Sequence, residues 1–247
     1  MYSELKILFI HGLEAGPFGK KYQYLKNKGY NVRSTSMNLS LWNLSRRNGI
    51  LRNFLLKPRT LAFILSLIST IVFLILKLSN WLLIVDGVIG IITGLLLVKT
   101  FRQVVSEIFE ICVNIQKQEI EHFNPDLLIG SSFGGAVALA CVIRGYWEKN
   151  TLLLAPALGR ILKLCGIDYE NELRKNIYDF KRIIVAHAKD DKTIDIKDSI
   201  LLGKVLSAKG MGYFKLYEIE NDTHSLHSLT NSNLLINFIN ESVGSIN

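Results

Sequence analysis

Ser132 lies between two glycines at the spacing that a nucleophilic serine requires. The segment from Gly130 to Gly135 reads Gly-Ser-Ser-Phe-Gly-Gly and contains Gly-x-Ser-x-Gly centred on Ser132. A serine on a tight strand-to-helix turn needs these glycines, because larger side chains would clash there. The turn also brings the hydroxyl near a helix N-terminus, whose free N–H groups favour a developing anion. The pattern therefore predicts attack of the serine oxygen on an acyl carbon. An ordinary glycine turn is the alternative.

The elements around Ser132 have the order that such a turn requires. The apolar run Asp126–Gly130 predicts a strand before it, and the Ala- and Val-rich stretch Phe133–Tyr146 predicts a helix after it. Further short apolar runs predict strands over Lys6–Ile10, Tyr30–Ser36, Thr151–Leu154, Arg182–His187 and Gly212–Ile219. Helices are predicted over Lys20–Lys28, from about Ile196, and over Ser225–Val243. This alternation predicts an α/β fold: a doubly wound, mostly parallel sheet of about six strands in three layers.

The block ILFIHGLEAGPFGKK, which begins at Ile7, joins the serine motif in a wider likeness. On these residues the chain resembles the α/β-hydrolase superfamily, in particular small bacterial esterases with a minimal sheet and a His-Gly loop. The resemblance covers about residues 5–38 and 124–245. It implies an oxyanion hole formed by the N–H groups of Leu13 and Phe133, each worth about 3–4 kcal/mol. His11 is then structural, since this loop acts through its backbone.

The stretch RIIVAHAKDDKTIDIKDS, from Arg182 to Ser199, is similar to the family's pattern of strand, His-Gly and Asp. Two positions depart from that pattern: Ala188 stands where Gly is usual, and Asp195 where Pro is often found. Aligned this way, the resemblance implies Asp191 as the triad acid, with Asp190 as the alternative. His187 fills the strand-end position and is not the expected base. A solvated loop that caps the next helix is the other interpretation of these acids.

The general base is expected just after the last strand. His224 follows the short polar loop there and opens the final predicted helix, so it is the first choice. His227, one helical turn onward, is the alternative, and His122 is excluded because it precedes the Asp126–Gly130 strand. The resulting order Ser132, Asp191, His224 is the order that this fold uses.

Residues 39–123 do not fit the alternating pattern and form a predicted insert between hydrolase-like parts 1–38 and 124–247. The insert contains two strongly apolar runs, 61–76 and 81–98, joined by a short polar link. The first has no charge, and the second has only Asp86. At about 1.5 Å per residue, each run is roughly 24–27 Å long, enough for a thin or locally adapted bilayer. The insert therefore predicts a helical hairpin that spans a membrane. Its alternative is an apolar cap over the active site of a soluble enzyme.

Basic residues flank the two apolar runs. Lys57 and Arg59 precede the first and Lys99 and Arg102 follow the second, whereas only Lys77 lies at the tip. The positive-inside rule then places both ends, and the catalytic domain, in the cytoplasm. No Asp or Glu occurs between Ala15 and Val85. Besides Lys77, the basic residues of this range lie before the first apolar run: Lys20, Lys21, Lys26, Lys28, Arg33, Arg46, Arg47, Arg52, Lys57 and Arg59. This stretch predicts binding to anionic lipid headgroups, with Leu39–Leu56 in the interface.

Composition narrows the class of protein further. The chain has 247 residues, 49% of them hydrophobic, and a net charge of +8, and its mean hydropathy of +0.26 is high for a soluble protein. Three cysteines in apolar surroundings indicate neither a disulfide framework nor a zinc site. The charge concentrates beside the apolar hairpin, and no nucleic-acid motif accompanies it, so nucleic-acid binding is not expected.

These observations favour a membrane-associated serine hydrolase that cleaves carboxylic esters, including lipid-like acyl substrates. Ser132, His224 and Asp191 would form the triad, and the mechanism needs no metal or organic cofactor. An acyl-thioesterase uses the same machinery and is one alternative. A non-catalytic, membrane-anchored scaffold on a hydrolase fold is another. The sequence leaves acyl specificity and oligomeric state open.

Overall fold

The computed structural model describes residues 4–13, 16–37, 39, 56–75, 80–176, 180–209 and 212–244. Most of the predicted interfacial segment Leu39–Leu56 lies outside these residues, as do Lys77 and its neighbours at the predicted hairpin tip.

Six strands form one sheet in the order β2-β1-β3-β4-β5-β6. Every neighbouring pair is parallel. The strands are β1 (Lys6–Ile10), β2 (Asn31–Arg33), β3 (Leu127–Ser131), β4 (Asn150–Leu154), β5 (Arg182–Ala188) and β6 (Tyr213–Ile219). This sheet confirms the predicted fold class. Because all the strands run in one direction, the loops at their carboxyl ends gather at one edge.

The helices between the strands include those that the sequence predicts, and Tyr169–Asn176 is a helix that it did not predict. They are α1 (Lys20–Asn27), α2 (Pro58–Ile75), α3 (Asn80–Phe123), α4 (Phe133–Ile143), α5 (Tyr169–Asn176), α6 (Lys197–Lys209), α7 (Ser228–Asn231) and α8 (Leu234–Val243). A five-residue π-helix covers Leu158–Leu162. The last predicted helix, Ser225–Val243, is divided in two, since Asn233 has a φ of 59° and a left-handed conformation interrupts a helix.

Both faces of the sheet are buried. Along β1, Ile7 and Phe9 point into a core cluster with Leu25 of α1 and Phe238 of α8. The alternate residues of β1, Leu8 and Ile10, are also fully buried. Since successive side chains point to opposite faces of a strand, burial of both sets means that the sheet is covered on both sides.

The chain divides into two compact units. The first comprises Met1–Met37 and Phe109–Asn247 and holds the sheet, and the second comprises Asn38–Ile108. The second unit is shorter than the predicted insert 39–123, because residues 109–123 group with the sheet. Within the first unit, Phe109, Cys112 and Val113 of α3 are fully buried.

The second unit contains α2 and the first part of α3. The two helices pack closely where small residues face each other. A Cβ atom at Gly90 of α3 would lie 3.4 Å from the Ser66 hydroxyl oxygen of α2. Asp86 is buried and accepts a hydrogen bond from the Thr70 hydroxyl. In contrast, many large apolar side chains of both helices are exposed, among them Leu65 at 65% and Ile91 at 67%. Asp86 thus has a partner inside the unit, while the apolar surface faces outward.

Among the described residues, one helical stretch, Ile84–Phe123, is long and apolar enough to cross a membrane, judged by length and composition alone. The apolar part of α2, Thr60–Val72, is shorter than a full span.

Candidate active site

Ser132 occupies the sharp turn between β3 and α4, with φ 55° and ψ −118°. The turn is possible because its neighbours are glycines. A Cβ atom at Gly130 would lie 2.6 Å from the carbonyl oxygen of Gly134, and one at Gly134 would lie 2.6 Å from the carbonyl oxygen of His11. These atoms belong to backbone that cannot easily move away. The local sequence therefore folds into the strained turn that the serine motif predicts, with the hydroxyl at the carboxyl end of β3.

A continuous chain of hydrogen bonds joins three side chains that are distant in the sequence. The Ser132 Oγ lies 2.8 Å from the His224 Nε2, and the His224 Nδ1 lies 2.7 Å from the Asp191 Oδ2. An ionised Asp191 can only accept, so Nδ1 carries the proton of a neutral His224 ring. Nε2 then accepts a hydrogen bond from the serine hydroxyl. The sequence-predicted serine, histidine and acid thus lie in the geometry of a nucleophile, a base and a residue that orients the base.

The surroundings of Asp191 keep its carboxyl ionised although the side chain is fully buried. Burial opposes ionisation, but the N–H groups of Thr193 and Ile194 donate to Oδ1 at 2.8 and 3.0 Å. Together with the His224 ring at Oδ2, these donors hold the pKa of Asp191 below its ordinary value. The loop after β5 therefore fixes a carboxylate that can stabilise a positively charged imidazole.

Neither Asp190, the alternative acid, nor His187 is part of the hydrogen-bonded series with Ser132. Asp190 is exposed, whereas His187 is completely buried, with its Nε2 3.4 Å from the Asp191 Oδ2. The His187 Nδ1 lies 2.8 Å from the Ser199 hydroxyl, and its Nε2 lies 3.1 Å from the Ile194 carbonyl oxygen. Burial lowers the pKa of His187, so the ring is neutral. His187 therefore supports the loop after β5 that carries Asp191.

His227 and His122, the other histidines weighed as the base, are not hydrogen-bonded to Ser132. His227 is exposed, and its backbone N–H donates to Asp222 at 3.1 Å. The same Asp222 carboxylate accepts the N–H of Thr223 and of Ser228, at 2.7 and 2.9 Å. It therefore fixes the loop that carries His224. His122 lies in the last turn of α3.

The His-Gly loop after β1 passes directly against the nucleophile. A Cβ atom at Gly12 would lie 3.2 Å from the Ser132 Cβ and 3.8 Å from its Oγ, so a side chain at this position would crowd the serine. His11 is buried; its Nδ1 lies 2.7 Å from the Gly12 carbonyl oxygen, and its Nε2 accepts the Met37 N–H at 3.3 Å. Both ring nitrogens of His11 thus contact backbone atoms, as expected of a histidine that holds the loop.

Leu13 and Phe133, the predicted oxyanion donors, line one cavity together with Ser132 and His224. Phe133 is the first residue of α4, where its N–H has no preceding helical carbonyl to bind. The cavity has a volume of about 630 Å³. A cavity of this size accommodates a small organic ligand.

Several residues of the site were not singled out by the sequence. Lys20, Lys21 and Arg160 line the cavity. The two lysines were predicted only as part of a lipid-facing basic stretch, and Arg160 had no signal at all, because lining a cavity depends on contacts between distant segments. Among the described residues, no group of three His, Cys, Asp or Glu side chains could hold a metal ion.

Comparison with known proteins gives matches to solved structures only. No family model and no curated protein sequence matches the chain. Esterase PE8 matches with a TM-score of 0.52 and 9% identity over 97% of this chain and 93% of its own. An uncharacterized protein from Bacillus cereus matches with a TM-score of 0.50 and 12% identity over 96% of this chain. A structure of SOBER1 from Arabidopsis thaliana has a TM-score of 0.41 and 22% identity over 58% of this chain.

The chain spans less than two thirds of two of these proteins, 60% of the Bacillus cereus protein and 64% of SOBER1. The match to PE8, in contrast, covers almost all of both chains. The six-stranded parallel sheet, the strained serine turn after β3 and the loops at the carboxyl edge agree with this similarity. The chain therefore has the α/β-hydrolase fold.

Proposed function

We propose that this protein is a serine hydrolase that cleaves carboxylic esters through an acyl-enzyme intermediate. The observation that carries the proposal is the hydrogen-bonded series Ser132, His224 and Asp191, with contacts of 2.8 and 2.7 Å. Contacts of this length are within the reach that proton transfer requires. The apolar cavity beside the serine supports an acyl substrate, and PE8, which has the same fold, is described as an esterase.

The first half of the reaction forms the acyl-enzyme. His224 Nε2 takes the hydroxyl proton as Ser132 Oγ bonds to the ester carbonyl carbon, whose π electrons move to the oxygen. The resulting tetrahedral intermediate collapses as the bond to the leaving alkoxy oxygen breaks. His224 gives its proton to that oxygen, and an alcohol departs. The acyl group is then held on Ser132 as an ester.

The second half repeats these steps with water. His224 takes a proton from water, the hydroxide oxygen bonds to the acyl carbon, and the bond to Ser132 Oγ breaks. The serine recovers its proton, and a carboxylic acid is released. Asp191 stabilises the charged imidazole in both halves. The N–H groups of Leu13 and Phe133 would hold the oxyanion, and removal of one such donor costs about 3–4 kcal/mol.

We also infer that the second unit attaches the protein to a membrane, with the catalytic domain in the cytoplasm. The many exposed large apolar side chains of α2 and α3 support this, because extended exposed apolar surface marks a site of contact with another protein or a membrane. The bond from Thr70 to Asp86 reduces the cost of a carboxyl group in this apolar unit. Lys57 and Lys99 at the outer ends give the charge asymmetry of the proposed orientation.

A chain-length series of nitrophenyl esters tests the chemistry, with acyl thioesters of the same lengths run in parallel. The protein should hydrolyse esters, and Ser132→Ala should lower kcat by at least about a thousandfold. Ser207→Ala, an exposed serine of α6, is the matched control and should retain activity. Faster turnover of every thioester would instead assign a thioesterase. Unchanged turnover by Ser132→Ala would remove this serine from the mechanism.

A further inference from the structure

The cavity beside Ser132 combines an apolar interior with a cationic rim. Phe9, Ile161 and Leu164 are among its apolar lining residues, and Lys20, Lys21 and Arg160 are its basic ones. The cations come from two separate parts of the chain, the first turn of α1 and the π-helix Leu158–Leu162. Two elements thus bring positive charge to the same cavity.

Acidic side chains are absent from the described lining of the cavity. Among the lining residues that the structure describes, none is Asp or Glu. Lys20 and Arg160 form no ion pair with any carboxylate of the described part of the chain, in contrast to other surface bases such as Arg174, which pairs with Glu170 at 2.8 Å. A guanidinium and an ammonium group that pair with none of the described carboxylates, beside a reactive serine, favour an anionic group on the bound molecule.

The third cation is held next to the catalytic histidine. The Lys21 Nζ donates a hydrogen bond to the Ser225 carbonyl oxygen at 2.6 Å, and Ser225 directly follows His224. The amine is therefore fixed against the loop that carries the base.

The π-helix that carries Arg160 is fixed from the opposite side. The Gly159 N–H donates to Asp198 Oδ2 at 2.8 Å, and a Cβ atom at Gly159 would lie 2.6 Å from that same oxygen. The backbone before Arg160 is thus bound closely to α6, and single-turn π-helices often occur at functional sites. Arg160 therefore projects from a restrained segment.

We propose that the preferred substrates are acyl esters that carry a phosphate or carboxylate group, which Arg160 and Lys20 bind while the acyl chain occupies the apolar cavity. Arginine suits this role because its planar group can donate two parallel hydrogen bonds to either anion. The inference rests on the proposed hydrolase function and adds the substrate class. The three basic side chains would raise the local concentration of anionic esters and orient the bond to be cleaved.

The test compares octanoyl esters that differ mainly in the charge of the alcohol part: monooctanoylglycerol phosphate, O-octanoyl glycolate and neutral monooctanoylglycerol. We expect kcat/KM for at least one anionic ester to exceed that for the neutral ester by about tenfold. The anionic ester that benefits distinguishes a phosphate site from a carboxylate site. The preference should shrink as salt is added, because exposed charges are screened.

Variants locate the preference. Arg160→Gln should lower the ratio of anionic to neutral kcat/KM about tenfold, whereas Lys163→Gln should leave the ratio unchanged. Lys163 is exposed and follows the same π-helix without lining the cavity, so it is a matched loss of one positive charge. Equal rates for all three esters, or equal effects of both variants, would overturn the inference.

A binding measurement separates this inference from the hydrolase proposal. Titration of Ser132→Ala protein with octyl phosphate needs no turnover, and Arg160→Gln in the same background should weaken binding about tenfold. If no ester is cleaved but this difference holds, the anion site stands and the hydrolase proposal fails. If esters are cleaved but octyl phosphate binds no better than neutral octanol, the anion site is wrong.

Discussion

The backbone of Ser132 has a conformation that few serines adopt. A φ of 55° with ψ −118° costs about 1–3 kcal/mol, and such strain persists only where the surroundings enforce it. Here the β3 hydrogen bonds precede it, and Ser132 N donates to the Leu154 carbonyl oxygen at 2.9 Å. The strained residue is also the one whose hydroxyl reaches His224. The cost at this residue is consistent with a functional role for its side chain.

Asp191→Asn should lower kcat for a nitrophenyl ester by about ten-thousandfold while the protein remains folded. The amide would present an N–H to His224 Nδ1, so the ring proton would move to Nε2. The ring could then not accept the proton of Ser132. Asp190→Asn is the control, because Asp190 is exposed and should tolerate the change. Equal losses in both variants would contradict the role of Asp191.

Lys21 gives a pH-dependent prediction about stability. Burial lowers the pKa of its amine to about 8 from 10.5, so the folded state binds this proton less tightly than the unfolded state does. The cost of the buried charge is therefore complete below pH 8 and disappears as the pH rises towards 10.5. Relative to Lys21→Met, the wild-type protein should gain thermal stability between pH 7 and 10. A difference in melting temperature that is independent of pH would contradict this.

The sequence predicted the residues of the triad but not the hydrogen bonds that surround them. Ser132, Asp191 and His224 are recognisable because each lies in the turn or loop that follows a predicted strand. The choice between His224 and His227, three residues apart, could not be made from spacing alone. The Asp222 carboxylate, which binds the N–H groups of Thr223, His227 and Ser228, orients that loop. Such a network depends on three-dimensional loop geometry.

At the scale of elements, the β3–α4 junction depends on close backbone packing. α4 is buried along its whole length, and its start packs against the end of β1, where Gly134 meets the carbonyl oxygen of His11. This contact brings the His-Gly loop to the serine. The two halves of the site are therefore joined through glycines, whose lack of a side chain allows the strand, loop and helix to approach.

Gly130→Ala should destabilise the protein by about 1–3 kcal/mol, which is typical of overpacking a core. Its Cβ would lie 2.6 Å from the Gly134 carbonyl oxygen and 2.8 Å from the Gly135 Cα. Gly87→Ala is the control, since nothing lies within 4 Å of a Cβ at that helical position. Thermal unfolding measures both. A melting temperature for Gly130→Ala equal to that of the wild type would contradict the packing described.

Strands and helices were predictable from apolar runs, but their ends were less so. β2 covers only Asn31–Arg33 of the predicted Tyr30–Ser36, because a strand ends where its pairing with β1 ends. The final helix is interrupted at Asn233, which the apolar pattern does not reveal. Hydrophobic periodicity reports which side of an element is buried and gives only weak information about where its hydrogen bonds stop.

At the scale of the whole molecule, the chain combines a hydrolase-fold unit with a second unit of strongly apolar helices. The apolar runs predicted this division, because 61–76 has no charge and 81–98 has only Asp86, whereas charged and apolar residues are mixed along the first unit. The extent of each unit was harder to predict. Residues 109–123 continue the helix α3 yet belong to the first unit, and the helical pattern does not change where one unit gives way to the other.

Membrane attachment predicts that the full-length protein resists alkaline carbonate extraction from membranes. Ile91→Arg should increase the extracted fraction, because an arginine near the centre of a spanning helix costs about 2.5–3.5 kcal/mol. Ile91 is 67% exposed, so the change does not disturb the interior of its unit. Ile91→Leu is the matched control and should behave like the wild type. Complete release of the wild-type protein by carbonate would contradict membrane integration.

The residue that a fluorophosphonate probe modifies identifies the nucleophile directly. The probe reacts with activated serines, so peptide mass spectrometry of the labelled wild-type protein should locate the adduct on Ser132 and leave its neighbour Ser131 unmodified. Labelling should be lost in Ser132→Ala and strongly slowed in His224→Ala, since the hydroxyl then lacks its base. An adduct on another residue, or labelling that persists in Ser132→Ala, would contradict the assignment of Ser132 as the nucleophile.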